Sequence, residues 1–152
     1  MSSFSQEDKK QILVKSFVQD LFNPDISQEH IVSNYLMELK DEKRFSNSVE
    51  DRKYNQLNHI KEIRDRKEDE NNWLMPNKNN GNPKNHVASY SKFQQLDTIA
   101  WAGQLSKKIK NEMFVLLDED KTCILQYFLL KKDRIKSYTL FVKSGEALFF
   151  EY

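Results

Sequence analysis

The sequence is short of the residues that most often mark a chemical site: it holds one cysteine, three glycines and three prolines in 152 residues. A single cysteine excludes an intramolecular disulfide and a thiolate zinc cluster. Cys123 lies in an apolar run, where a buried and inert thiol is the natural expectation. Gly81, Gly103 and Gly145 are too scattered to form a Gly-rich phosphate loop, and neither a G-x-S-x-G elbow nor a paired-cysteine motif occurs. An excess of one charge is also missing, because 24 basic and 23 acidic residues leave a net charge of +1. Phosphate binding through a global basic field is thereby excluded. In the densest charge segment Glu62, Asp65, Glu68, Asp69 and Glu70 are interleaved with Lys61, Arg64, Arg66 and Lys67, so nucleic acid is not an expected partner. No run approaches the roughly 20 apolar residues that span a bilayer. The opening residues Met1 to Asp8 lack the basic start and apolar stretch of a signal peptide. No membrane partner is expected, and the expected location is the cytoplasm.

What is abundant is aromatic. Ten Phe, six Tyr and two Trp stand in a chain that is otherwise polar, with 38% hydrophobic and 31% charged residues. Rings in that number argue against disorder and for one enclosed core, so residues 1–152 are read as a single domain. Ser5 followed by Asp8 is an N-cap arrangement, and Ile12, Leu13, Phe17, Val18, Leu21 and Phe22 follow at helical spacing. Asn23-Pro24 ends that helix. Asp25 or Ser27 then caps a second, whose stripe is Ile31, Val32, Tyr35, Leu36 and Leu39.

Residues 40–88 form a polar insertion or loop region with few aliphatics. Within it Val49, Tyr54, Leu57, Ile60 and Ile63 predict a helix around 48–68, its charged face solvated and laced with i,i+4 pairs. Asn79-Asn80-Gly81-Asn82-Pro83 is loop chemistry, and Trp73, Leu74 and Met75 are expected to pack that region back onto the body. A further helix is predicted from 91 to about 108, with Phe93, Leu96, Ile99, Ala100, Gly103 and Leu105 as its apolar face.

The pattern then changes. Segments 113–117, 122–130, 134–142 and 146–152 are rich in Val, Ile, Thr, Phe and Tyr and are separated by short polar breaks, which predicts an antiparallel β-meander. In the second of these, Ile124, Phe128 and Leu130 fall on one side and Cys123, Leu125, Tyr127 and Leu129 on the other. Apolar residues on both faces make this strand central, with helices covering one side and a second subunit or a curved cavity wall covering the other. The fold class is therefore α+β, with N-terminal helices packed on a curved C-terminal antiparallel β-meander.

Few residues are candidates for chemistry. His30, His59 and His86 follow no metal spacing, and no metal or cofactor is expected. His59, with Leu57 and Ile60 nearby, is a candidate acid or base at a pocket mouth, although a half-exposed helical histidine is the plainer reading. Asp97, in an apolar stretch, is a second candidate base, although a solvent-facing carboxylate is the simpler account. Gln126 is the one polar residue in its strand; it lines a polar cavity beside Tyr127 or Tyr138, or is bonded within a dry core.

The helix ending Phe17-Val18-Gln19-Asp20-Leu21-Phe22-Asn23-Pro24, the short helix reaching Tyr35, the helix leading into a hairpin over 112–130, and the closing turn Lys143-Ser144-Gly145-Glu146-Ala147-Leu148 together resemble the NTF2-like superfamily, including its SnoaL-like, polyketide-cyclase-like branch. The resemblance covers about two-thirds of the chain by pattern, and the sequence departs from it at 40–88. It implies a cone-shaped sheet around a ligand pocket, frequent dimerisation through the sheet, and activities from isomerase and cyclase to plain binding. No catalytic motif of the family matches residue by residue. The expected site is a cavity lined by Phe17, Tyr35, Phe93, Trp101, Gln126, Phe128 and Tyr138 that takes a small apolar or amphipathic molecule. The alternative is a non-catalytic interaction domain that pairs as a homodimer through Leu125, Tyr127, Leu140, Phe149 and Phe150.

Overall fold

The computed structural model describes residues 5–68, 78–97, 105–143 and 146–152. Helix α1 (Gln6–Leu21) opens on a complete capping box, in which the Ser5 hydroxyl accepts from the Asp8 amide and the Asp8 carboxylate accepts from the Ser5 amide. Helix α2 (Gln28–Tyr35) takes Ser27 as its cap. It stops before Leu36, which is extended and forms a parallel bridge to Ile135. Helix α3 (Val49–Asp65) is capped by Ser48. Arg64, half-buried, donates to the carbonyls of Leu21, Asp20 and Asn23 and so satisfies the C-terminus of α1.

The main sheet has the order β1-β2-β3-β4 and is antiparallel throughout: β1 (His86–Ser89), β2 (Met113–Leu117), β3 (Ile124–Lys131) and β4 (Arg134–Ser137). The α+β class and the two hairpins β2–β3 and β3–β4 are as the sequence predicts. Three features differ. Strand β1 comes from the polar 40–88 region, where four residues with two apolar side chains give little periodicity to read. The predicted strand 134–142 breaks at Tyr138 and Thr139, so β5 (Leu140–Lys143) and β6 (Glu146–Phe149) form a separate two-stranded sheet. Ser137 makes that break by donating from its hydroxyl to the Thr139 and Phe150 carbonyls. The predicted helix 91–108 is not continuous. Two 3-10 turns, at 90–92 and 94–96, give way to an extended Asp97, residues 98–104 lie outside the described residues, and α4 is Lys107–Glu112. Trp73, Leu74, Met75, Trp101 and Gly103 also lie outside them.

Strand β2 is buried at every position. On one face Phe114 and Leu116 join Phe128, Leu130 and Ile135 against Val14, Phe17, Val18 and Leu21 of α1, Ile31 of α2, and Ile60 and Ile63 of α3. On the other, Met113, Val115 and Leu117 join Leu129, Ala88, Tyr90, Leu105 and Ala147, with Ile109 of α4 and Phe149 of β6 packed around them. The second face is thus covered by α4, the 3-10 turns and the last hairpin of the same chain. A register shift pairs Leu116 with Gln126 but Leu117 with Ile124, and Leu125 is left as the extra residue of a bulge. Ile124 therefore turns to the side of Tyr127 and Leu129, and Leu125 turns to the helices, the reverse of strict alternation. Cys123 sits outside the strand, exposed, in the Asp118 turn, and is not a core thiol.

Phe128 is fully enclosed, so Phe128→Ala should lower stability by about 3–5 kcal/mol. Ile12, half exposed on α1, should tolerate Ile12→Lys within about 0.5 kcal/mol. Urea unfolding of both variants checks the assignment of core and surface.

Candidate functional site

The inward stripe of α3 is Arg52, Gln56, Ile60 and Ile63, all buried. Its apolar half belongs to the helix-side core. Its polar half faces the chain that leaves α2 and the C-terminal Glu151 and Tyr152. The Arg52 guanidinium lies over the Phe45 ring, 3.8 Å from its centroid. Its Nε donates to the main-chain oxygen of Tyr152 at 2.9 Å and its Nη1 to the Lys40 carbonyl at 2.7 Å. Among the described residues its Nη2 has no hydrogen-bond partner. One turn further on, the Gln56 Oε1 is buried without a partner. An unmet buried amide oxygen costs about 1–3 kcal/mol.

These two side chains help to line a cleft of about 670 Å³, within the usual range of small-molecule sites. Leu36, Met37, Leu39 and Phe45 supply apolar wall, and Lys131, Lys132, Arg134 and Lys136 close it from the β3–β4 hairpin. Eight of its lining residues are Lys or Arg and three are Glu, a local charge of +5 in a chain of net +1. Lys40, Lys53, Lys131 and Lys132 take no part in an ion pair among the described residues. Lys132 holds its place through a left-handed backbone (φ 54°) in the two-residue turn. Glu151 is committed within the cleft, bonded to Arg44 at 2.5 Å and to Lys136 at 3.2 Å. Burial acts to raise its pKa, but the bonds from Arg44 and Lys136 outweigh it and hold the carboxyl below its ordinary range.

A second cleft, of about 430 Å³, lies between α4 and β6, and Lys131, Lys136 and Glu151 line both. Another unsatisfied amide, Asn80, is buried with both polar atoms unpaired, but it lines neither cleft.

The residues singled out by sequence are placed elsewhere, and not together. Phe17, Phe128 and Tyr138 are fully buried and meet ring to ring, at 6.2 Å for Phe17–Phe128 and 5.4 Å for Phe17–Tyr138. Tyr35 joins them at 5.9 Å and donates its hydroxyl to Asp20; desolvation and that carboxylate push its pKa up to about 12. Gln126 is buried and donates to the Tyr138 carbonyl at 2.5 Å. Phe93 packs on the other face of the sheet, and Trp101 lies outside the described residues. The interaction-surface residues divide as well, with Leu125 and Phe150 on the helix side and Tyr127, Leu140 and Phe149 on the other. Asp97 is half-buried. One oxygen accepts from Tyr90 and the other from Tyr127, which ties the end of the 3-10 turns to β3. Both phenols are shifted upward, by burial first and by Asp97 second.

Arg52 and Gln56 are the residues that a reading of the sequence misses. The signal is present, because 52, 56, 60 and 63 share one helical phase, so two polar residues continue an apolar stripe. Among the described residues no group of three His, Cys, Asp or Glu could hold a metal ion, and no helix is long and apolar enough to cross a membrane. No family model, curated protein or solved structure matches the chain.

His59 stands on α3, half-buried, with its ring 5.0 Å from that of Tyr152 and 5.5 Å from that of Phe150. Burial lowers its pKa, against a smaller opposing pull from Glu62. The unfolded chain therefore takes up this proton more readily than the fold. The contribution to stability is complete above the unfolded value of about 6.5 and is lost as pH falls from there through the lower folded value. Wild-type protein should lose urea resistance between pH 7.5 and 5.5 more steeply than His59→Phe. Parallel pH profiles would show that His59 makes no such contribution.

Proposed function

We propose that this chain is a binding module that holds a small amphipathic anion in the cleft beside α3. One observation carries the reading: the Arg52 guanidinium, with no bond from its Nη2, lines a cleft in which Lys and Arg outnumber Glu by eight to three. A buried cation is costly unless a counter-charge or hydrogen bonds compensate it. Arg52 has its Nε and Nη1 bonds but retains free donor capacity at Nη2, and that donor suits a carboxylate or phosphate oxygen.

The surrounding charge supports the same ligand class. Lys40, Lys53 and Lys132 raise the local concentration of anions at the cleft. Leu36, Met37, Leu39 and Phe45 offer apolar contact to the rest of the molecule. The reading retains the small amphipathic ligand expected from the sequence but moves its site from the core to the α3 cleft. It does not depend on the NTF2-like resemblance. The interaction-domain alternative has less support, because the large apolar residues most exposed among those described, Ile12, Tyr54 and Leu148, stand on α1, α3 and β6.

Isothermal titration should show decanoate and decyl phosphate binding, with decanol and decyltrimethylammonium at least tenfold weaker. Lys53→Glu, at an exposed position, should weaken the two anions about fivefold and flatten their salt dependence. Decanol binding as tightly as decanoate would sink the proposal.

A further inference from the structure

Building on the anion-binding reading of the first cleft, we infer that the two clefts are the head and tail subsites of one site, and that its ligand is a single-chain anion carrying an acyl or alkyl chain. The clefts are adjacent, with Lys131, Lys136 and Glu151 forming their common border. Lys136 is largely covered, its side chain 27% exposed, and its ammonium is held 3.2 Å from Glu151. A lysine tied at its tip presents its methylene stem to whatever lies alongside, so this border is an apolar sill between two charged groups.

Charge and apolar surface are divided between the two sides. The first cleft carries eight basic residues against three acidic ones. The second has three lysines and two glutamates, and half of its twelve lining residues are Leu, Ile, Ala or Phe. Leu105 and Leu129 are buried at its base, Ile109 and Phe149 are half-buried, and Leu148 stands 62% exposed at its edge. The basic field draws an anionic head into the first cleft, and the second gives a hydrocarbon chain somewhere to leave water. An acidic peptide fits less well. Ser106 is the one uncharged polar side chain lining the second cleft, whereas each buried peptide group needs a hydrogen-bond partner.

The test is titration calorimetry with hexanoate, octanoate, decanoate and dodecanoate at pH 8, each below its micellar concentration. Affinity should rise about threefold per added methylene along the series. In Leu148→Glu the slope should flatten, so that dodecanoate loses about tenfold more affinity than hexanoate; the urea midpoint confirms that this exposed substitution folds. Equal affinity for hexanoate and dodecanoate in the wild type would overturn the tail subsite and leave the first-cleft reading standing. Equal losses for both acids in Leu148→Glu would do the same. Failure of every alkanoate to bind would remove both readings. Displacement of dodecanoate by a lower concentration of a hexapeptide of Glu and Leu would overturn the choice of occupant.

Discussion

Strand β2 must be kept from water on both faces. Its five residues, Met113 to Leu117, are all buried, and their side chains alternate between two separate clusters. A sheet with an amphipathic central strand needs cover on one side only, whereas this one needs it on both. The chain before the sheet provides one cover, with α1, α2 and α3 bringing Val14, Phe17, Ile31 and Ile60 against Phe114 and Leu116. The other cover comes from short pieces: the 3-10 turns after β1, the six-residue α4, and the closing β5–β6 hairpin. The hairpin can reach that position because the backbone breaks at Tyr138 and Thr139, where the Ser137 hydroxyl is bonded to two carbonyls.

The position of the cleft follows from that layering. The later turns of α3 place Ile60 and Ile63 in the helix-side core, while its earlier turns bury Arg52 and Gln56 at the cleft. The chain leaving α2 and the C-terminal residues wrap that end, and Arg52 links them by donating to Lys40 and Tyr152. The β3–β4 hairpin closes the space with lysines and an arginine. Charge is therefore segregated. A cleft of +5 within a molecule of +1 leaves the remainder at −4, so near-neutrality of the whole conceals a basic site.

The larger elements were legible in the sequence because their signals are local. The Ser5–Asp8 box, Pro24 after the first helix, and the polar breaks between strands each act within a few residues. The rest depended on tertiary contacts. Leu125 and Ile124 exchange faces because a bulge shifts the register, which strict alternation cannot foresee. Asp97 sits among apolar residues because two tyrosines from distant positions bond it. Helix 91–108 reads as continuous because Phe93 and Leu96 share a helical phase, yet Phe93 packs against the second cluster from between two 3-10 turns and Leu96 from the second of them. Six of the seven residues expected to line a cavity are aromatic, and three of those rings fill the core by packing on one another. Arg52 and Gln56 were passed over because a basic residue and an amide on a charged helix read as solvated. Only their phase with Ile60 and Ile63 set them apart.

The most direct measurement is a backbone amide NMR titration with dodecyl phosphate. Saturable shifts at Lys40, Phe45, Arg52, Gln56 and Tyr152, extending to Ile109 and Leu148, are the predicted result. Saturable shifts centred instead on Asp97 and Tyr127, or none at α3, would contradict the account.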